Sequence, residues 1–266
     1  MKIVFSIALG SLREALREKV LYSLVFFAVL LIVLAFLMGE WSILERNKVV
    51  IDFCLGALSL FGLFTAIGIG LILWHREFAR KTVYIVVTKP LSRITFLLGK
   101  FLGLALVLFI SLFLMSVLLL LALYSMEISF PLPLLGALWG LYLEMLVLAA
   151  AALMFATFSS PFLSAFFTLG LYIAGHMTAD IMQIIKSLEL QAQVIPGAVP
   201  LPHWVQQIVQ VMYLLLPNLE AMNFRLQAVY QGGVSGAYLF AITGHALSYC
   251  MLCLLIAGMW FKQRDL

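Results

Sequence analysis

Glu144, His176 and Asp180 are the side chains of this sequence best placed to do chemistry. Each lies inside an apolar stretch, where an ionisable group is costly unless it is paired or wet. Glu144 sits near the middle of the run Leu141 to Val147. His176 and Asp180 are four residues apart, on one face of a helix, a spacing that would let them pair with each other. Groups of this kind could relay protons in a self-sufficient secondary transporter or channel. They could equally pair across helices, or, for Glu144, face a wet cavity at a seam between two copies. Cys54, Cys250 and Cys253 also fall in apolar stretches. No second His or Cys pair accompanies Cys250 and Cys253, so neither a zinc site nor a disulfide framework is expected, and the three thiols read as packing residues. No catalytic residue and no metal ligand is expected.

The elements that must carry these groups are set by composition. Of 266 residues, 65% are hydrophobic and 11% charged, and the mean hydropathy is +1.14. A soluble fold of this length has too little interior to hide that much apolar surface. About 20 helical residues cross a hydrocarbon core roughly 30 Å thick, and the apolar runs are long enough to do so. The predicted fold class is an all-α integral membrane protein with six transmembrane helices, at about 20–38, 49–74, 96–124, 134–158, 161–182 and 237–261. Continuous runs such as Leu104 to Leu123 lack the alternation of a barrel strand, so a β-barrel is excluded. The first run has no small-residue cleavage pattern and is read as a retained span, not a leader.

Charge gives the expected orientation. With both termini cytoplasmic, the inner side holds Lys2, Arg13, Arg17, Lys19, Arg76, Arg80, Lys81, Lys89, Arg93, Lys100, Lys262 and Arg264, leaving Arg46, Lys48, Lys186 and Arg225 outside. Positive charge stays on the cytoplasmic side, which favours N-in, C-in. The net charge of +4 suits anionic lipid head groups and requires no nucleic acid.

Three segments do more than cross. In Ile3 to Tyr22, apolar residues at Ile7, Leu12, Ala15 and Leu16 alternate with Arg13, Glu14, Arg17 and Glu18, as in an interfacial amphipathic helix or a charged flank of the first span. The segment 75–95 has a charged start (Arg76, Glu77, Arg80, Lys81), an apolar middle, and a turn at Pro90; it reads as a docking helix or as a loop that sets topology. The segment 183–236 carries four prolines and the run Trp204 to Leu216, too short to span but suited to a re-entrant or surface helix. Gly99/Gly103, Gly136/Gly140 and Gly232/Gly236 are spaced for close helix approach. Trp41, Trp74, Trp204 and Trp260 lie near span ends, where an interfacial belt is expected.

One pattern in the cytoplasmic segment is specific: Glu77, then Lys81-Thr82, the apolar Tyr84 to Val87, the turn Pro90-Leu91-Ser92-Arg93, and Leu98-Gly99-Lys100 at the next span. In these residues, and more weakly in Phe155 to Phe167 and Pro217 to Glu220, the chain resembles the ABC-2 type transporter permeases, including the nitrous-oxide-reductase maturation and gliding-motility permeases. Phe78-Ala79-Arg80 stands where that pattern has a second acidic residue.

The resemblance implies a non-catalytic subunit of an ATP-driven exporter in a bacterial inner membrane. The whole chain, 1–266, is then one transmembrane permease domain, with an interfacial helix at 1–19, a coupling segment at 75–95 and an external segment at 183–236 that forms a gate. Two permeases, identical or related, would pair above a dimer of ABC ATPase subunits. ATP and Mg would be bound by that partner, and no cofactor by this chain, in which no Gly-x-x-x-x-Gly-Lys phosphate loop occurs. Arg76, Glu77, Phe78, Arg80, Lys81 and Thr82 would make the ATPase contact, Phe78 as apolar anchor and the charges as its rim. The rival readings are a proton-coupled carrier or channel using Glu144, His176 and Asp180, and a membrane scaffold. The mostly apolar spans leave the substrate class open.

Overall fold

Apolar runs bounded by charges and prolines fold as long helices. The structure, a computed structural model, describes residues 2–17, 45–79, 93–194 and 202–263, with positions 29, 30, 33, 34, 37 and 39 between them. Its helices are α1 (Lys2–Arg17), α2 (Arg46–Ala79), α3 (Arg93–Ser125), α4 (Pro133–Phe158), α5 (Pro161–Val194), α6 (His203–Leu215), α7 (Arg225–Val229) and α8 (Gly236–Gln263), with a 3-10 turn at Glu220–Met222. Five of them, α2, α3, α4, α5 and α8, are long and apolar enough to cross a membrane. They match the last five expected spans, α5 running on to Val194. The expected span at 20–38 lies outside the described residues except at the isolated positions above.

Helix α4 is the axis of the bundle, packed against α2, α3, α5, α7 and α8. Of its most apolar window 78% is buried, against 22% for α5 and 28% for α8. Its sequence explains the difference. Ala149, Ala150, Ala151 and Ala152 are wholly enclosed, because small side chains on every face let neighbours approach from all sides, as expected of a helix apolar all round. By contrast α3, α5 and α8 present large apolar side chains outward, among them Phe113, Phe162 and Phe240. Buried hydroxyls are satisfied within their own helices: Thr65, Ser111 and Thr168 each donate to the carbonyl four residues back.

The amino-terminal helix docks on the bundle. Ala8, Ser11 and Ala15 are buried against α3, where β-carbons built on Gly99 and Gly103 would come within 2.8 Å of Ile7 Cβ and 2.6 Å of Ser11 Cβ. This glycine pair works as its spacing predicts. Gly140 instead receives the chain beyond α6, and Gly136 and Gly236 meet no close neighbour.

Trp74 departs from the expected interfacial belt. It is 1% exposed, its ring against Phe96 and Phe261 at centroid distances of 6.4 and 5.4 Å. Its indole N–H donates to the Ala156 carbonyl at 3.1 Å, one of the carbonyls that the end of α4 leaves without an intrahelical donor. Position near a span end favoured a belt, but that orphan carbonyl made the core the better place for the donor. Trp74 therefore ties the end of α2 to α3, α4 and α8. Trp74→Phe keeps most of the packing and strands the carbonyl, at a cost of about 1–3 kcal/mol. The expected result is a lowered thermal unfolding midpoint of the detergent-solubilised protein.

Candidate functional site

The polar centre of the molecule grows from a single costly choice, a glutamate on the most buried helix. Glu144 is 4% exposed, and a carboxylate so placed needs a partner. His176 on α5 supplies it, with Nε2 3.1 Å from Glu144 Oε1. The other ring nitrogen, Nδ1, lies 2.8 Å from Glu220 Oε2. The imidazole thus bridges two carboxylates, and the Tyr172 ring stands edge-on to it at 4.7 Å.

Glu220 reaches this position because the chain after α6 turns back into the bundle. Local capping shapes the turn: Asn218 Oδ1 accepts from the Ala221 N–H at 3.1 Å, and Asn223 Oδ1 accepts from the Arg225 N–H at 3.2 Å. Asn223 Nδ2 also donates to Glu220 Oε1 at 3.0 Å, so both oxygens of Glu220 are engaged. Leu219, Met222, Phe224 and Ala228 are buried, and the Leu219 N–H donates to the Gly175 carbonyl of α5 at 3.3 Å. The fit needs glycine. A β-carbon on Gly175 would come within 2.7 Å of Leu219 Cγ, and one on Gly140 would overlap the Met222 carbonyl oxygen.

Arg225 pins the far end of the segment. Its Nε and Nη2 donate to the two carboxylate oxygens of Asp52 on α2, the Nη2 contact at 2.8 Å, and the guanidinium lies over Gly56. The fork geometry adds directional preference, but both side chains are more than a third exposed. The pair therefore sets register more than it adds stability. Residues 217–229 are in this way fastened to α2, α4 and α5, bordering a half-open cavity of about 180 Å³ lined by Ser59, Leu141, Glu144, Tyr172, His176 and Arg225 among others. A space of that size and polarity suits a few waters.

The sequence profile described as ABC-2 family transporter protein matches residues 5–266. The chain belongs to the ABC-2 transporter family. It is a multi-pass membrane protein, a permease by family. No curated protein matches the chain.

Within this ABC-2 permease, Glu144 and His176 meet as members of one cluster, and Asp180 does not join them. Asp180 is exposed on the next turn of α5. The His176–Asp180 pair that the spacing allowed does not form, because glutamates take both imidazole nitrogens. Asp52 was not named from sequence, Glu220 entered only as the end of the Pro217 to Glu220 resemblance, and Arg225 only as an outer charge. The asparagines at 218 and 223, each placed to cap a short turn, were the available sign that this stretch is folded. Its partner helices were not inferable from spacing. Of the expected ATPase-contact residues, Arg76, Glu77 and Phe78 lie on the last turn of α2, and their side chains, with Arg80, Lys81 and Thr82 entirely, lie outside the described residues. The short apolar helix expected within the external segment is α6, whose Trp204, Val211 and Met212 are exposed. The stretch that packs into the bundle, 217–229, follows it.

Proposed function

We propose that this chain is the membrane-spanning half of an ATP-driven exporter in a bacterial inner membrane, paired with a second permease and powered by separate ABC ATPase subunits. Both termini are cytoplasmic, the segment 76–87 docks on the ATPase, and residues 217–229 form the outer gate. The observation that carries this reading beyond family membership is the continuity of α2. One unbroken helix joins Asp52, the anchor of Arg225 on the inserted segment, to Arg76 and Glu77 at the opposite end. Over those 24 or so residues, at about 1.5 Å each, the helix is about 36 Å long. A displacement imposed at one end of such a rod reaches the other as rigid-body motion, and Trp74 supplies a pivot beside the driven end.

The test is co-purification of the tagged chain with its candidate ATPase in detergent, followed by vanadate-sensitive ATP hydrolysis. Association and stimulated hydrolysis support the exporter. If no ATPase associates, the rival carrier reading takes its place, favoured by the Glu144–His176–Glu220 cluster.

A further inference from the structure

The histidine bridge has a proton requirement that a structural ion pair lacks. Each of its two contacts, 3.1 Å to Glu144 and 2.8 Å to Glu220, needs one hydrogen between the heavy atoms. The closed trio therefore needs a proton on each ring nitrogen of His176. With only one proton, a neutral imidazole donates at one nitrogen and turns a lone pair toward a carboxylate at the other. One contact becomes repulsive.

We propose that the Glu144–His176–Glu220 trio is a proton-operated latch on the inserted segment: the doubly protonated bridge holds residues 217–229 down, and loss of one proton to cavity water frees Glu220 and lets the segment lift. The geometry decides which end opens. Glu144 is buried at 5% side-chain exposure, whereas Glu220 is 37% exposed. The remaining N–H stays on Glu144, since an unpartnered buried carboxylate is the costlier outcome. Glu220, already reaching water, is solvated instead. Because Glu220 belongs to the inserted segment and Glu144 to the central helix, the contact that breaks is the one that holds the gate.

Other charged and titratable groups near the bridge are Tyr172 from α5 itself, and Arg225 from α7, which is neutralised by Asp52 of α2. They keep the bridge as the titrating element. The latch rests on the gate reading only for its role in transport; its proton dependence is a property of the chain alone. His176 acts here as a positioning residue.

The sign follows from the count: the closed state holds the additional proton, so it prevails at low pH and is lost as pH rises. The experiment uses the full chain in lipid nanodiscs, with Cys54, Cys250 and Cys253 replaced by Ala and a reporter thiol introduced by Ala228→Cys. Ala228 belongs to the segment and is fully enclosed while it is seated. Maleimide labelling is measured between about pH 5 and about pH 8, where histidine ordinarily changes charge, and normalised to the exposed control Gly233→Cys to remove the thiol's own titration.

The expected normalised rate rises with pH by up to about tenfold per unit, the limit for opening linked to one proton. His176→Gln, which can donate to one carboxylate only, labels fast at every pH. Glu220→Gln carries its own N–H to a neutral imidazole, needs no second titratable proton, and labels slowly at every pH. A flat profile for the unmodified trio, or a profile unchanged by Glu220→Gln, overturns the latch whether or not an ATPase co-purifies. A proton-dependent profile that both substitutions flatten supports it even where no ATPase associates, so the two readings fail separately.

Discussion

Chains carrying Glu77→Lys together with Phe78→Asp are expected to insert in the membrane and fail to retain the partner ATPase. Two features make this the sharpest single test of the exporter. The last turn of α2 remains helical through Ala79, so the two positions extend a rod already locked by the buried Trp74 one turn earlier. The substitutions therefore act on the docking surface and leave that lock untouched. The chemistry of the change is also large. An apolar anchor and an acidic rim group are exchanged for opposite characters, and interface anchors of this kind are worth about 2 kcal/mol or more each, roughly 30-fold in affinity apiece. The expected outcome is loss of the ATPase from the detergent complex, with vanadate-sensitive hydrolysis falling to that of the ATPase alone. Retention of the ATPase at undiminished affinity would place the docking surface elsewhere in the chain.

What the sequence disclosed follows from how directly each feature depends on local pattern. Five spans were legible because each is a continuous apolar run, and lipid leaves helix as the conformation that satisfies such a backbone. The contact of α1 with α3 was half legible. Gly99 and Gly103 announced a close approach, but nothing in their spacing named Ile7 and Ser11 as the side chains received there. Trp74 was misread because position near a span end says where a tryptophan is along the membrane normal and nothing about which way it faces. The site divided in the same manner. Glu144 and His176 stood out by the cost of their burial, a property of each residue alone. Their true partner, Glu220, lies 44 residues beyond His176, in an external segment whose spacing names no helix of the bundle. Pairing of that kind is decided by how helices α4 and α5 sit beside each other, and single-sequence periodicity carries no such information. Asp180 shows the converse: its spacing allowed a pair with His176, but one turn further along α5 it is exposed.

Gly140→Leu is expected to abolish seating of the inserted segment while leaving the spanning helices formed. Leucine is a good helix former, so α4 itself tolerates the change. The obstruction is tertiary. The new β-carbon would overlap the Met222 carbonyl oxygen and crowd the Phe224 ring, and backbone on one side with an aromatic on the other leaves no flexible side chain to yield. The segment must move, and with it go the burial of Leu219, Met222 and Phe224, each about 1.5–3 kcal/mol where water meets them, and the contact of Glu220 with His176. Expulsion should appear as rapid maleimide labelling of the Ala228→Cys reporter at every pH, together with loss of substrate retention against a gradient in proteoliposomes. Gly136→Leu, one turn away and facing only Val234 at 3.9 Å, is the matched control and should label as the unsubstituted protein does. Equal labelling of the two variants would mean that the segment is held by something other than its fit against α4. The Arg225–Asp52 pair, at the end of the same segment, would then be the next fastening to cut.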